Sequence, residues 1–192
     1  MYNNNCCCDC GLKYSICIMH EIIDSNLLDS IELNYEVTQR AITLKDCVYQ
    51  NLLNVEVERD DEILNFNVCI SSINFFKLIP VDSNYQPIIN IINKYYQSPF
   101  CISTCTCDNI CCCKDSYLLY LRDKYLESEP ENRNFKLKFL TLNGNNTIPD
   151  SDDDSSVIVI TLDNDVVWLL DTLNKVIYLA SLCQIKNAIS IS

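Results

Sequence analysis

Glycine is almost missing from this chain: of 192 residues only Gly11 and Gly144 are glycine. Phosphate-cradling loops need several glycines in close succession, so nucleotide chemistry of that kind is excluded. With five prolines as well, the turns must be built on Asn and Asp, which are plentiful. Histidine is reduced to His20, and no nucleophile elbow is present. Basic residues are scarce and scattered: 14 Lys and Arg face 26 Asp and Glu, for a net charge of −12. Releasing counter-ions from a phosphate backbone requires clustered cations, so neither nucleic acid nor an anionic membrane surface is expected as a partner. No apolar run reaches the length of a membrane-spanning helix. The opening residues lack a basic segment followed by an apolar core, so synthesis in the cytosol without a secretory signal is expected.

Cysteine is present in excess. Fourteen are found, with Cys6, Cys7, Cys8, Cys10 and Cys17 near the start and Cys101, Cys105, Cys107, Cys111, Cys112 and Cys113 in one stretch of thirteen residues. Cytosolic thiols are normally reduced, so such a set either holds metal or oxidises after release from the cell. A thiolate zinc site fits poorly. Cys7 and Cys10 form one C-x2-C knuckle, but no second knuckle matches it, and consecutive cysteines diverge on an extended backbone. A catalytic thiol would need a base, and His20, three residues after Cys17, is the sole imidazole. No enzyme activity, metal or cofactor is therefore expected. The third use is cross-linking. Adjacent cysteines rarely bond to each other, so each member of a CCC run must find a partner elsewhere in its own chain or in another.

The remaining composition, 48% hydrophobic and 21% charged, suits a folded domain. Alternation of period two in IELNYEVT (31–38), LNVEVER (53–59), FNVCI (66–70) and FKLKFLTL (135–142) predicts half-buried strands. VIVITL, DVVWLLD and KVIYLASL predict buried strands joined by DND and TLN turns, and AISIS a further edge strand. Trp168, in VVWLL, reads as core or as a contact between subunits. Residues 82–99 read as a connection with one strand or short helix, and 116–127 as a weak helix. Cys47, Cys69 and Cys183 lie in strand-like segments and read as ordinary buried thiols. Asp150 to Asp154 open like a calcium loop but have Ser155 and Thr161 where its glycine and glutamate belong. The expectation is an all-β chain, a β-sandwich or jelly roll of about seven to nine strands with room for one short helix. Residues 1–20 would form a flexible cysteine-rich arm, and 21–192 one sandwich domain carrying a cysteine-rich insertion at 101–113.

Over residues 6 to 17, the Cys-Cys pair followed by Cys17 resembles the N-terminal connector of the cysteine-rich, self-assembling subunits of bacterial endospore appendages and spore coats. That resemblance implies a non-enzymatic structural subunit whose partner is itself. Strand edges would join side by side, and the arm would bond covalently to neighbouring subunits in a fibre or surface layer. It implies a spore-surface location, reached when the mother cell lyses and the thiols oxidise. A thiolate zinc module and a monomeric domain stapled by its own disulfides remain the alternatives.

Overall fold

In the segments VVWLLD and VIYLAS both registers are apolar up to the closing Asp171 and Ser181, so a strand made from either has no polar face to show to water. The computed structural model meets that demand by covering both faces of the sheet these strands form. It describes residues 10–35, 38–39, 41–45, 52–59, 62–96, 100–101, 112–139, 146–150, 155–163 and 165–190.

Helix α1 (Cys10–Asp24) leads into β1 (Leu28–Asn34), β2 (Thr38–Gln39), β3 (Ile42–Leu44), β4 (Leu52–Arg59), β5 (Glu62–Cys69) and β6 (Phe75–Pro80). Helix α2 (Gln86–Tyr95), β7 (Phe100–Cys101) and helix α3 (Cys112–Leu126) follow. The chain closes with β8 (Phe135–Phe139), β9 (Thr147–Ile148), β10 (Val157–Asp163), β11 (Val166–Asp171), β12 (Val176–Ser181) and β13 (Ile185–Ser190). The main sheet runs β13-β8-β10-β11-β12-β6-β1-β2, antiparallel along this path, with β9 beside β8 and β7 parallel to β10. A second sheet holds β3-β4-β5.

All six residues of β11 and all six of β12 are buried. One face carries Val166, Trp168, Leu170, Ile177 and Leu179, continued by Phe76 and Leu78 of β6 and Ile31 and Leu33 of β1. Against it pack α1, α2 and the inner face of the small sheet, Ile42, Leu44, Leu53, Val55, Val57 and Val68. The other face carries Val167, Leu169, Val176, Tyr178 and Phe75. It is covered by Leu121 of α3 and by Phe135, Leu137 and Phe139 of β8. Strands β8 and β10 pair at Val157 and Phe135, and from there the sheet curls over itself. The rings of Phe139 (β8) and Phe75 (β6), four strands apart in the sheet order, come to 5.2 Å between centroids.

The β-rich expectation holds, and the strands read in VIVITL (157–162), DVVWLLD (165–171) and KVIYLASL (175–182) are found at 157–163, 166–171 and 176–181. The helical content exceeds it, with three α-helices among the described residues where one short helix was expected. The larger correction concerns the expected arm. Residues 10–24 are helical because Leu12, Ile16, Met19 and Ile22 recur at helical spacing, and all four are buried in the core. The solvent side of α1 carries Tyr14 and Cys17. Cys6, Cys7 and Cys8 lie outside the described residues.

Trp168 is fully buried between α1, α2 and the sheet, which settles its place as core. Trp168→Ala should lower the unfolding free energy by about 3–5 kcal/mol, as large-to-small core substitutions do. A urea titration showing a loss below about 1 kcal/mol would mean that this face of the sheet is not packed as described.

Candidate functional site

Helix α1 begins beside a tight turn from a distant part of the chain. The turn between β10 and β11 presents Asp165, whose carboxylate accepts hydrogen bonds from the backbone N–H of Gly11 (2.7 Å) and of Leu12 (3.4 Å). Two unpaired donors of the first helical turn are thereby satisfied in the buried interior, where water cannot reach them. A negative charge also suits the positive end of the helix dipole. The approach is close enough to require glycine: a Cβ on residue 11 would lie 2.1 Å from Asp165 Oδ1 and 3.4 Å from Asp163 Oδ2.

Further along α1, Ser15 Oγ and the Tyr96 hydroxyl hydrogen-bond at 2.8 Å in the interior. Burial holds the Tyr96 phenol protonated well above its usual range. The Trp168 indole N–H lies close enough to Tyr96 to bear on its ionisation, though outside hydrogen-bonding geometry. At the far end of α1, Glu21 takes hydrogen bonds from Lys94 Nζ (2.9 Å) and from the Tyr95 hydroxyl, joining α1 to α2.

The remaining polar clusters also close parts of the fold. Asp171, fully buried at the end of β11, accepts bonds from the backbone N–H of Leu173 and of Asn174, both at 3.0 Å, and from Ser155 Oγ (2.9 Å) and Asn174 Nδ2 (2.8 Å). This is an Asx-type cap on the β11–β12 turn, where Lys175 takes a positive φ. Asn74 Nδ2 donates to Asn34 Oδ1 (2.8 Å) and to the Tyr35 carbonyl (2.6 Å), tying β6 to β1. Tyr178 donates to Asp150 Oδ1 (3.0 Å), which also receives Lys77 Nζ. Burial, then the Asp150 charge, raises the Tyr178 phenol far above its ordinary range. Each group holds a loop or strand in place, and none forms a nucleophile–base pair. Among the described residues no group of three or more His, Cys, Asp or Glu is arranged to hold a metal ion.

Of the expected cross-linking residues, Cys6, Cys7, Cys8, Cys105, Cys107 and Cys111 fall outside the described residues, as does Cys47. Cys10 opens α1, Cys17 stands exposed on it, Cys101 ends β7, and Cys112 and Cys113 open α3. Cys17, Cys69 and Cys183 form no disulfide. The topology nevertheless brings the backbones of Cys10 and Cys101 to one place. Cys101 is the register partner of Asp163, and the amide following Cys10 is bonded to Asp165, so both residues lie at the β10–β11 turn.

Cys69 corrects the reading of a buried thiol. It is exposed at the end of β5, with Ser71 Oγ 3.1 Å from its sulfur, and Cys183 is half-buried. The strand expected at FNVCI (66–70) is present as part of β5, but its place in the sheet was not foreseen. Among the described residues β5 is an outer strand of the small sheet; Ile63 is 63% exposed and Leu64 46%. Compared with protein-family models, with curated proteins and with solved structures, the chain matches none.

Two experiments test the internal contacts. Gly11→Ala and Asp165→Ala should each cost about 1–3 kcal/mol, the range for leaving buried donors unpaired. The double variant should cost clearly less than the sum, because both remove one interaction; additive losses in urea unfolding would contradict the clamp. The second concerns pH. The Tyr95 hydroxyl and Lys94 hold the Glu21 carboxyl below its ordinary 4.5. Its contribution is therefore present above that value and lost as pH falls through the lower folded value. The Lys94 ammonium and Tyr95 phenol are shifted upward by the Glu21 carboxylate, so their share persists to high pH and is lost as each deprotonates. Wild-type protein and Glu21→Gln should differ in thermal stability at pH 7 and converge in acid; a constant difference down to pH 2 would refute the contact.

Proposed function

We propose that this protein is a non-enzymatic structural subunit that associates with copies of itself through an open strand edge, with disulfides then locking the assembly. The observation that carries the reading is the contrast among its sheet edges. An edge strand offers unpaired N–H and C=O groups to any passing strand, and monomeric proteins suppress this with short strands or edge charges. Here β2 has two residues and β3 three, and β13 carries Lys186. Strand β5 has eight residues and neither charge nor proline from Ile63 to Cys69.

Net charge supports the same reading. Copies carrying −12 repel each other at long range, so contact is cheapest where the surface has no charge. Exposed Cys69 stands at the end of that uncharged strand, where a disulfide would lock a contact once conditions become oxidising. The expected sandwich has its nearest equivalent in the small sheet stacked on the curled one. The spore surface implied by the resemblance is a compartment in which such thiols would oxidise, and we carry it as part of this proposal.

One observation favours a second reading. Cys10 and Cys101 both lie beside the β10–β11 turn, which supports disulfide bonding within one chain. The protein would then be a monomeric interaction domain stapled by its own disulfides.

Gel electrophoresis of air-oxidised protein after boiling in detergent separates the two. Self-assembly predicts a ladder at multiples of 22.1 kDa that a thiol reductant collapses to one band. A single band in both lanes, migrating faster without reductant, would establish the stapled monomer and overturn the assembly reading.

A further inference from the structure

We propose that two copies join β5 to β5 about a two-fold axis, with Phe66 facing Phe66 of the second copy, to make one continuous six-stranded sheet. This deepens the self-assembly reading and rests on it.

The pairing follows from the small sheet. Within it, Val57 faces Leu64, Val55 faces Phe66 and Leu53 faces Val68, so Leu64, Phe66 and Val68 lie on the inner side of β5. Ile63, Asn65, Asn67 and Cys69 lie on the outer side, and all four are exposed. When two identical edges meet antiparallel, the two-fold axis stands perpendicular to the sheet and each face continues into its own counterpart. Residues directly opposite one another must then share a side, which leaves registers centred on a single residue.

Centring on Phe66 sets Leu64 against Val68, Phe66 against Phe66, Asn65 against Asn67 and Ile63 against Cys69. Every inner pair is apolar, the two Asn positions pair side-chain amides, and no charge enters the ladder. Centring on Asn65 instead sets Glu62 against Val68 and Ile63 against Asn67, mixing polar with apolar on both sides. The seven-residue stretch ILNFNVC is thus complementary to itself in one register. Leu64, half exposed although it faces inward, gains an apolar neighbour in that register, which accounts for an otherwise costly surface leucine. A two-fold contact closes on itself and cannot propagate, so this dimer is the unit and a second kind of bond, disulfide, joins units.

The test uses the full chain at several concentrations under reducing conditions, followed by sedimentation analysis. Wild-type protein should show a concentration-dependent dimer. Asn65→Lys with Asn67→Lys places like charges opposite each other twice and should weaken the dimer roughly tenfold or more. Both side chains point outward, so circular dichroism should be unchanged. Independently, Ile63→Cys, mildly oxidised and mapped by peptide mass, should yield a reducible link between the introduced thiol and Cys69 of the second copy. Association that survives the lysine pair, with no such link, would overturn the β5 contact while leaving self-assembly through another surface. A monomer at every concentration, reduced or oxidised, would overturn both.

Discussion

Two neighbouring strands with no polar face govern this fold. Every side chain of β11 and β12 is buried, Trp168 and Tyr178 among them, so the sheet containing them needs a cover on each side. At roughly 25 cal/mol per Å² of apolar surface removed from water, leaving either face open would forfeit several kcal/mol for each large side chain. One cover comes from α1, α2 and the small sheet, the other from α3 and the sheet's own strands curling back. The first cover creates a second requirement. A helix end buried against the sheet has donors that water cannot satisfy, and Asp165 satisfies two of them at the one place where Gly11 allows the approach. The near-total lack of glycine elsewhere makes that position informative.

Among the described residues, His20 Nε2, the Tyr120 hydroxyl and the Trp168 indole N–H are buried without a hydrogen-bond partner, while the hydrogen-bonded buried groups close the structure. Asp165 seats α1, Asp171 holds the β11–β12 turn, Asn34 and Asn74 align β1 with β6, and Ser15 meets Tyr96. What stands apart from these closures is an uncharged strand edge on a strongly acidic protein and exposed thiols, the two features on which the proposed self-association rests.

Much of the core was legible in the sequence because burial on two faces leaves a continuous apolar run, as in VVWLLD and VIYLAS. Alternation in LNVEVER and FNVCI was legible for the same local reason. Helix α1 was concealed by its cysteines: the apolar spacing of Leu12, Ile16, Met19 and Ile22 was present, but the CCCDC run beside it suggested an unstructured arm. Helix α3 places Leu119 and Leu126 outward and Leu121 inward, so its apolar residues surround it and blur the helical period. Asp165 could not have been read as a helix cap, since its partners lie more than 150 positions away. Whether a strand is central or at an edge is likewise a property of the whole sheet. That is why Cys69 looked like an ordinary core thiol and stands at an exposed edge.

The proposed self-association requires the outer edge of β5 to become paired when copies meet, and amide hydrogen exchange at increasing protein concentration under reducing conditions measures that directly. Protection of the amides from Ile63 to Cys69 should rise with concentration, while those of β11 and β12 stay protected throughout. Exchange at β5 that is equally fast in dilute and concentrated samples, with association demonstrated in the same tubes, would contradict it.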